Sequence, residues 1–227
     1  MSLLDTILGA MLPRVCASCG RELVDGEELV CLHCLGQMGE WIGDRQEMRL
    51  QRLPRTAPIA RVASWLAYTN EGVCGRLIRH GKYDGRPEII RRLSQMYAAW
   101  LDERRLLDDV DVMVAVPMHW LKRMRRGYNQ AEIIAMTLAA DAGVKYDNLL
   151  KVTRSHRSQT HRSAQGRADN VRGMFALRGG AVVHGLHVGI VDDILTTGAT
   201  LSEAIGVLAD AGARAVSVYT LAAVKPR

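Results

Sequence analysis

Two adjacent carboxylates, Asp192 and Asp193, close an apolar run and lead into Thr196, Thr197, Gly198, Ala199 and Thr200, all within HVGIVDDILTTGAT at 187–200. Residues 188–191 read as a buried strand, and a strand of an open α/β sheet delivers the residues after it to the carboxyl edge, where ligands sit. A Thr-Thr-Gly turn that opens a helix offers backbone N–H groups, two hydroxyls and a positive helix end, which suit a phosphate. Paired acids beside such a turn can accept hydrogen bonds from sugar hydroxyls. The chemistry written here is recognition of a phosphorylated ribose, with acids on the ribose and the turn on its 5′-phosphate. The plainer alternative is a buried strand whose acids cap the next helix, but a cap needs one acid and does not call for Thr-Thr-Gly.

A second constellation is made of thiols. Cys16 and Cys19 form one CxxC pair, Cys31 and Cys34 another, with residues 20–30 between them. Each pair presents two sulfurs on a tight knuckle, and two knuckles close a tetrahedron around Zn²⁺ with no position open for catalysis. Gly20 and Gly36 follow the pairs and permit the turns beneath the metal. Redox dithiols or an iron site are the alternatives, and His33 is a ligand the site does not need. Cys74 stands apart and reads as a small buried apolar residue.

Charge narrows the partners. The net charge is +6 and the isoelectric point about 9.3, and the excess is concentrated. Residues 119–130 hold Lys122, Arg123, Arg125 and Arg126 with no acid; residues 151–172 hold Lys151, Arg154, Arg157, Arg162, Arg167 and Arg172 against Asp169 alone. Two such clusters suit phosphate or polynucleotide contact, and their plainer reading is a solvated basic surface. Trp120 and Tyr128 are the stacking platforms near them. No apolar run approaches the roughly 18 residues that cross a membrane. The first residues carry Asp5 and no basic leader, so the chain reads as cytoplasmic, without membrane insertion.

The elements that must position these groups emerge from periodicity. A short N-terminal helix stopped at Pro13 and the thiol module fill 1–40. A polar connector with Pro54 and Pro58 fills 41–58, and 59–227 form the main domain. The spacing predicts strands over 62–68, 110–116, 171–177, 188–191 and 215–222, and helices over 71–80, 88–107, 129–142 and 200–211. Residues 153–170 are too polar for a core and read as a hood. Strands alternating with helices give an α/β parallel sheet with helices on both faces.

Five segments in order carry a family resemblance: LLDTILGAMLPRVCASCG (3–20), GKYDGR (81–86), VPMHWLKRMRRGYNQAE (116–132), SQTHRSAQGRADNVRGMF (158–175) and VDDILTTGAT (191–200). Together they resemble the ComF family of phosphoribosyltransferase-like competence proteins over nearly the whole chain. The last resembles the signature by which type I phosphoribosyltransferases bind 5-phosphoribosyl-1-pyrophosphate (PRPP).

The resemblance implies a type I phosphoribosyltransferase-like sheet, a zinc module and a pocket for PRPP or ribose 5-phosphate. Asp192, Asp193 and 196–200 would line that pocket, with Mg²⁺ accompanying PRPP. Arg126 and Arg167 are the candidates for pyrophosphate and hood contacts, and Gln159, Thr160 and Asn170 share the hood. Lys122, Arg123, Arg125, Arg154, Arg157 and Arg162 are the nucleic-acid candidates. The implied role is in DNA uptake or utilisation through single-stranded DNA, alongside a competence helicase. The alternative is an active transferase moving phosphoribosyl to a nucleobase-like acceptor. Thr196, where 6-oxopurine salvage enzymes carry an Asp, and Ala199, where they carry a Lys, argue against that particular activity. For Asn129 a helix N-cap stands beside a ligand contact.

Overall fold

The described residues of the computed structural model are 14–40, 53–54, 57–153 and 173–224. A five-residue helix, α1 (Leu32–Gly36), closes the thiol module. The main domain runs β1 (Ile59–Tyr68), α2 (Val73–Tyr83), α3 (Pro87–Asp102), β2 (Val112–Ala115), α4 (Trp120–Arg126), α5 (Gln130–Ala142) and β3 (Lys145–Tyr146). It continues through β4 (Leu150–Val152), β5 (Phe175–Leu177), β6 (His187–Leu195), α6 (Ala199–Asp210) and β7 (Ala215–Val224).

The main sheet has the order β1-β7-β6-β2-β3, and every pairing in it is parallel. Period-two alternation sends its side chains into two cores. Val188, Ile190, Val216 and Val218 meet Leu201, Ala204, Ile205 and Leu208 of α6 on one face. Val191, Tyr219 and Met113 meet Leu77, Ile78, Leu93, Ile134 and Leu138 of α2, α3 and α5 on the other. The fold is therefore an α/β parallel sheet covered on both faces. β2 and β6 are neighbours whose connections leave in opposite directions, β2 toward β3 and β6 toward β7. Such a switch point opens a crevice at the carboxyl ends of its two strands.

The opposite edge is fastened by polar side chains. Asp111 accepts from the backbone N–H of His187 (2.7 Å), which holds its carboxyl below the usual range. His187 Nε2 lies 2.8 Å from Ser217 Oγ, and Asp109 lies 3.4 Å from Nδ1. Ser217 is fully buried, so this Asp-His-Ser row fastens strands and presents no nucleophile.

Three expectations need correction. The helix foreseen over 88–107 stops at Asp102. Arg105 adopts φ 50°, and the turned chain delivers the Leu106 carbonyl to Arg61 (2.5 Å) and to the Tyr219 hydroxyl (2.7 Å). Of the strand foreseen over 171–177, residues 173–177 are described and only Phe175–Leu177 are strand, hemmed by Gly173 and Gly179. It pairs antiparallel with β4 in a separate two-stranded sheet. Residues 120–126, read only as a cationic run, form α4, whose apolar Trp120, Leu121 and Met124 are exposed and bury nothing against the core. The expected N-terminal helix, most of the connector and 154–170 lie outside the described residues. Among the described residues no helix is long and apolar enough to cross a membrane.

Candidate functional site

β6 does not end before the acids, as foreseen, but carries Asp192 and Asp193 within it and stops at Leu195. Thr196 and Thr197 are then exposed, and Gly198 turns the chain at φ 79° as the N-cap of α6. A side chain at that φ would be strained, which is why glycine stands there. The cap makes no side-chain hydrogen bond, and the first turn of α6 holds no acid. Apart from the Ala199 N–H, which reaches Thr197 Oγ1 at 3.5 Å, its first N–H groups and positive end are left for an anion.

The other wall continues from β2. Val116 and Pro117 end the strand, His119 caps α4 by accepting from the Leu121 N–H (3.2 Å), and Gly127 closes that helix. Asn129 caps α5 by accepting from the Ala131 N–H (3.1 Å) and donates to the Val116 carbonyl (3.0 Å), and it also lines the cleft between the walls. This one side chain pins the cationic helix between the end of β2 and the start of α5.

Between the walls lies an open cleft of about 1190 Å³. Asp192, Asp193, Thr196, Thr197, Ala199 and Thr200 line it from β6 and α6; Lys122, Arg125 and Arg126 line it from α4. Gly198 sits buried behind the lining. Arg126 donates to Gln130 Oε1 (2.5 Å) and lies over the Tyr83 ring, 5.3 Å from its centre. Arg123 instead pairs with Glu132 (2.9 Å) on a smaller neighbouring hollow shared with Lys151 and Arg178. Arg154, Arg157, Arg162 and Arg167, with Gln159, Thr160 and Asn170, fall outside the described residues.

Sequence reasoning missed Lys82. From the last turn of α2 its ammonium reaches Asp193 Oδ2 at 2.7 Å, with both side chains largely covered (17% and 14% exposed). The segment GKYDGR carries part of the family resemblance, but nothing local assigns its Lys a role; only the fold, which brings the end of α2 to Asp193, makes it part of the site. Asp192, at the same spot, is pushed up to about 7 by desolvation and then by the charge of Asp193. The Asp193 N–H donating to its Oδ1 (2.9 Å) and Lys82 pull the other way. The arrangement offers acceptors for hydroxyls, donors for an anion and four cations within one crevice.

The four thiols also converge: Cys16, Cys19, Cys31 and Cys34 place their sulfurs within 4.8 Å of one another. Cys19 and Cys31 sulfurs stand 3.8 Å apart, the edge of a tetrahedron whose metal–sulfur bonds are about 2.3 Å. The N–H groups of Ser18 and Cys31 point at Cys16 Sγ, both at 3.4 Å. Burial pushes the Cys16 thiol up, yet the backbone N–H groups of Cys31, Cys19 and Ser18 outweigh it and hold it at about 6. Burial and the neighbouring sulfurs push Cys34 up to about 12, so charging all four together calls for a cation at their centre. The donor set fits a structural metal. Glu27 braces the module, accepting from the N–H groups of Leu32 (2.8 Å) and Val24 (3.0 Å) and from Arg21 (2.9 Å).

Residues 124–226 match the phosphoribosyl transferase domain family model. DNA utilization protein YhgH of Escherichia coli (strain K12) is 31% identical over 211 residues, which is 91% of this chain and 83% of that protein. The Salmonella typhimurium protein of the same name is 33% identical over 173 residues, 74% of each. Competence protein F of Haemophilus influenzae is 30% identical over 154 residues, 64% of this chain and 66% of that protein.

Proposed function

This chain belongs to the ComF/YhgH family of phosphoribosyltransferase-domain proteins, and from that membership we propose that its cleft binds PRPP or ribose 5-phosphate while the protein serves DNA uptake or utilisation by holding single-stranded DNA. One observation carries the pocket reading. The acid pair, the glycine-capped N-terminus of α6 and the cations of α4 face one another across a single crevice at the sheet's switch point. Asp192 and Asp193 take the ribose hydroxyls, and the 196–200 turn takes the 5′-phosphate. Lys122, Arg125 and Arg126 take the pyrophosphate, which Mg²⁺ accompanies. Zn²⁺ is the ion for the four thiolates, as suits reduced cysteines in a cytoplasmic protein.

The DNA reading rests on the family and on cations with exposed rings beside them: Trp120 is 60% and Tyr83 72% exposed next to α4. Rings and guanidinium groups together suit stacked bases and a phosphate backbone. A second reading, an active transferase, is favoured by the three α4 cations standing where a departing pyrophosphate needs neutralising. Release of pyrophosphate from PRPP across a panel of nucleobases tests it.

The pocket is tested by melting the protein with PRPP and Mg²⁺ or with ribose 5-phosphate. A bound ligand raises the Tm in proportion to the logarithm of its concentration well above Kd. Asp193→Asn weakens that rise by removing an acceptor for the ribose hydroxyls. No shift with either compound at millimolar concentration overturns the pocket.

A further inference from the structure

The acids of the cleft already have a cation. Lys82 touches Asp193 at 2.7 Å, inside a wall where each side chain is largely withdrawn from water. The contact is held from three sides. α2 ends at Tyr83, so Lys82 lies in the last turn, where the helix dipole favours positive charge. The carbonyl of the preceding Gly81 accepts from the Tyr128 hydroxyl and from Gln130 Nε2 (3.4 Å), which ties that turn to the segment bearing Arg126. Gly81 also packs so closely on fully buried Ile90 that an added Cβ would lie 2.5 Å from its Cδ1. Lys82 is thus delivered to the acids by a packed helix end, from outside the 124–226 span that matches the phosphoribosyltransferase domain.

A divalent ion bridging ribose hydroxyls and Asp193 would compete with the ammonium for Oδ2, and two cations there repel. Magnesium also demands near-octahedral oxygen ligands at about 2.0–2.1 Å, which a carboxylate already bonded to Lys82 supplies poorly. An ammonium has three donors; one serves Asp193, and others can serve ribose oxygens. Lys122, Arg125 and Arg126 on the facing wall add positive charge, so an anionic sugar phosphate finds its counter-charges in the protein.

We propose that Lys82 is the resident counter-ion of the acid pair and stands where a divalent cation would otherwise bridge ribose and carboxylates, so that this chain binds ribose 5-phosphate without metal. The inference rests on the cleft being a ribose-phosphate site. It assigns Lys82 as a ligand-binding residue and limits Mg²⁺ to the pyrophosphate end of PRPP.

The experiment is calorimetric titration of the zinc-loaded, full-length protein with ribose 5-phosphate, in Mg²⁺ and in a chelator too weak to strip the thiolate site. Wild type, Lys82→Gln and Lys82→Arg are compared, each checked by its ligand-free melt. Wild type gives the same Kd within about twofold in both buffers. Loss of a charge-assisted donor weakens Lys82→Gln by roughly tenfold or more without Mg²⁺, and millimolar Mg²⁺ restores much of it by entering the vacated place. Lys82→Arg keeps metal-independent binding and carries the test should the Gln variant melt early. A wild type that needs Mg²⁺ for ribose 5-phosphate overturns the proposal, as does Lys82→Gln binding like wild type in chelator. Wild type that binds in neither buffer defeats the pocket reading itself, a result distinct from metal-dependent binding.

Discussion

At Asp192 the needs of ligand and fold diverge. Its carboxyl is held up at about 7 by desolvation and by Asp193, against an ordinary value of 3.8. A raised carboxyl pKa means that the folded state holds its proton more tightly than the unfolded chain does. The associated stability is complete below pH 3.8, fades as pH rises, and is gone above about pH 7. Asp192→Asn removes that loss. The variant should melt above wild type at pH 8, by on the order of 1–2 kcal/mol given partial solvent access. The gain should vanish near pH 4, and affinity for a ribose phosphate should fall. Paired melts at the two pH values check this, and a variant less stable than wild type at pH 8 contradicts it. Glu27 has the opposite sign. Backbone N–H groups of Leu32 and Val24 hold its carboxyl low, so its contribution is present above the ordinary carboxylate range and is lost as pH falls through the lowered value. Glu27→Gln should therefore cost stability at neutral pH and little in strong acid.

α2 is the element that joins module, core and cleft. Arg76 donates to Ser18, between the first two cysteines, at 3.2 and 3.1 Å, and six residues later Lys82 meets Asp193. The helix lies close to its neighbours because Gly75 has no Cβ; one built there would stand 2.0 Å from the Thr69 carbonyl oxygen. Gly75→Ala must push helix or loop aside. Overpacking at about 1–3 kcal/mol outweighs the gain of roughly 1 kcal/mol in helix propensity. The variant should melt lower and bind ribose 5-phosphate more weakly through a displaced Lys82; an unchanged melt would falsify the tight approach. The same helix shows where sequence reasoning stops. Its existence was legible from apolar spacing, as were four strands of the main sheet (β1, β2, β6 and β7), the acid pair, the phosphate turn and the four cysteines, because each is a local pattern. Lys82 was not, since its role is made by a neighbour more than a hundred positions away. Nor was α4, whose seven residues hold only three apolar ones, all exposed, nor the two-residue β3, too short for any period.

Across the whole molecule, the thiol module and the α/β domain share a core. Cys16, Cys31, Cys34, Leu23 and Val30 belong to the same apolar cluster as Leu77, Ile78 and Leu93. Metal loss should therefore reach past the module into the domain, in a graded way. Stripping the metal, or Cys31→Ser, should raise hydrogen exchange in α2 as well as in 14–40, with β6 and β7 still protected. Unchanged exchange in α2 would separate the two units. Charge placement leads to a sharper test of the proposed DNA role. Lys122, Arg125 and Arg126 line the cleft, whereas Arg123 is spent on Glu132. A strand held by those three cations and a sugar phosphate held by the same three cannot bind independently. PRPP should displace a labelled single-stranded oligonucleotide competitively. The logarithm of DNA affinity should fall with that of salt at a slope of about −2, set by three phosphate contacts at about −0.7 each. Charge reversal at Arg125 should weaken both ligands, and reversal at Arg123 should weaken neither through the cleft. DNA binding indifferent to saturating PRPP, with Arg125→Glu harming only one ligand, would place the strand elsewhere on the surface and leave the cleft to the sugar phosphate alone.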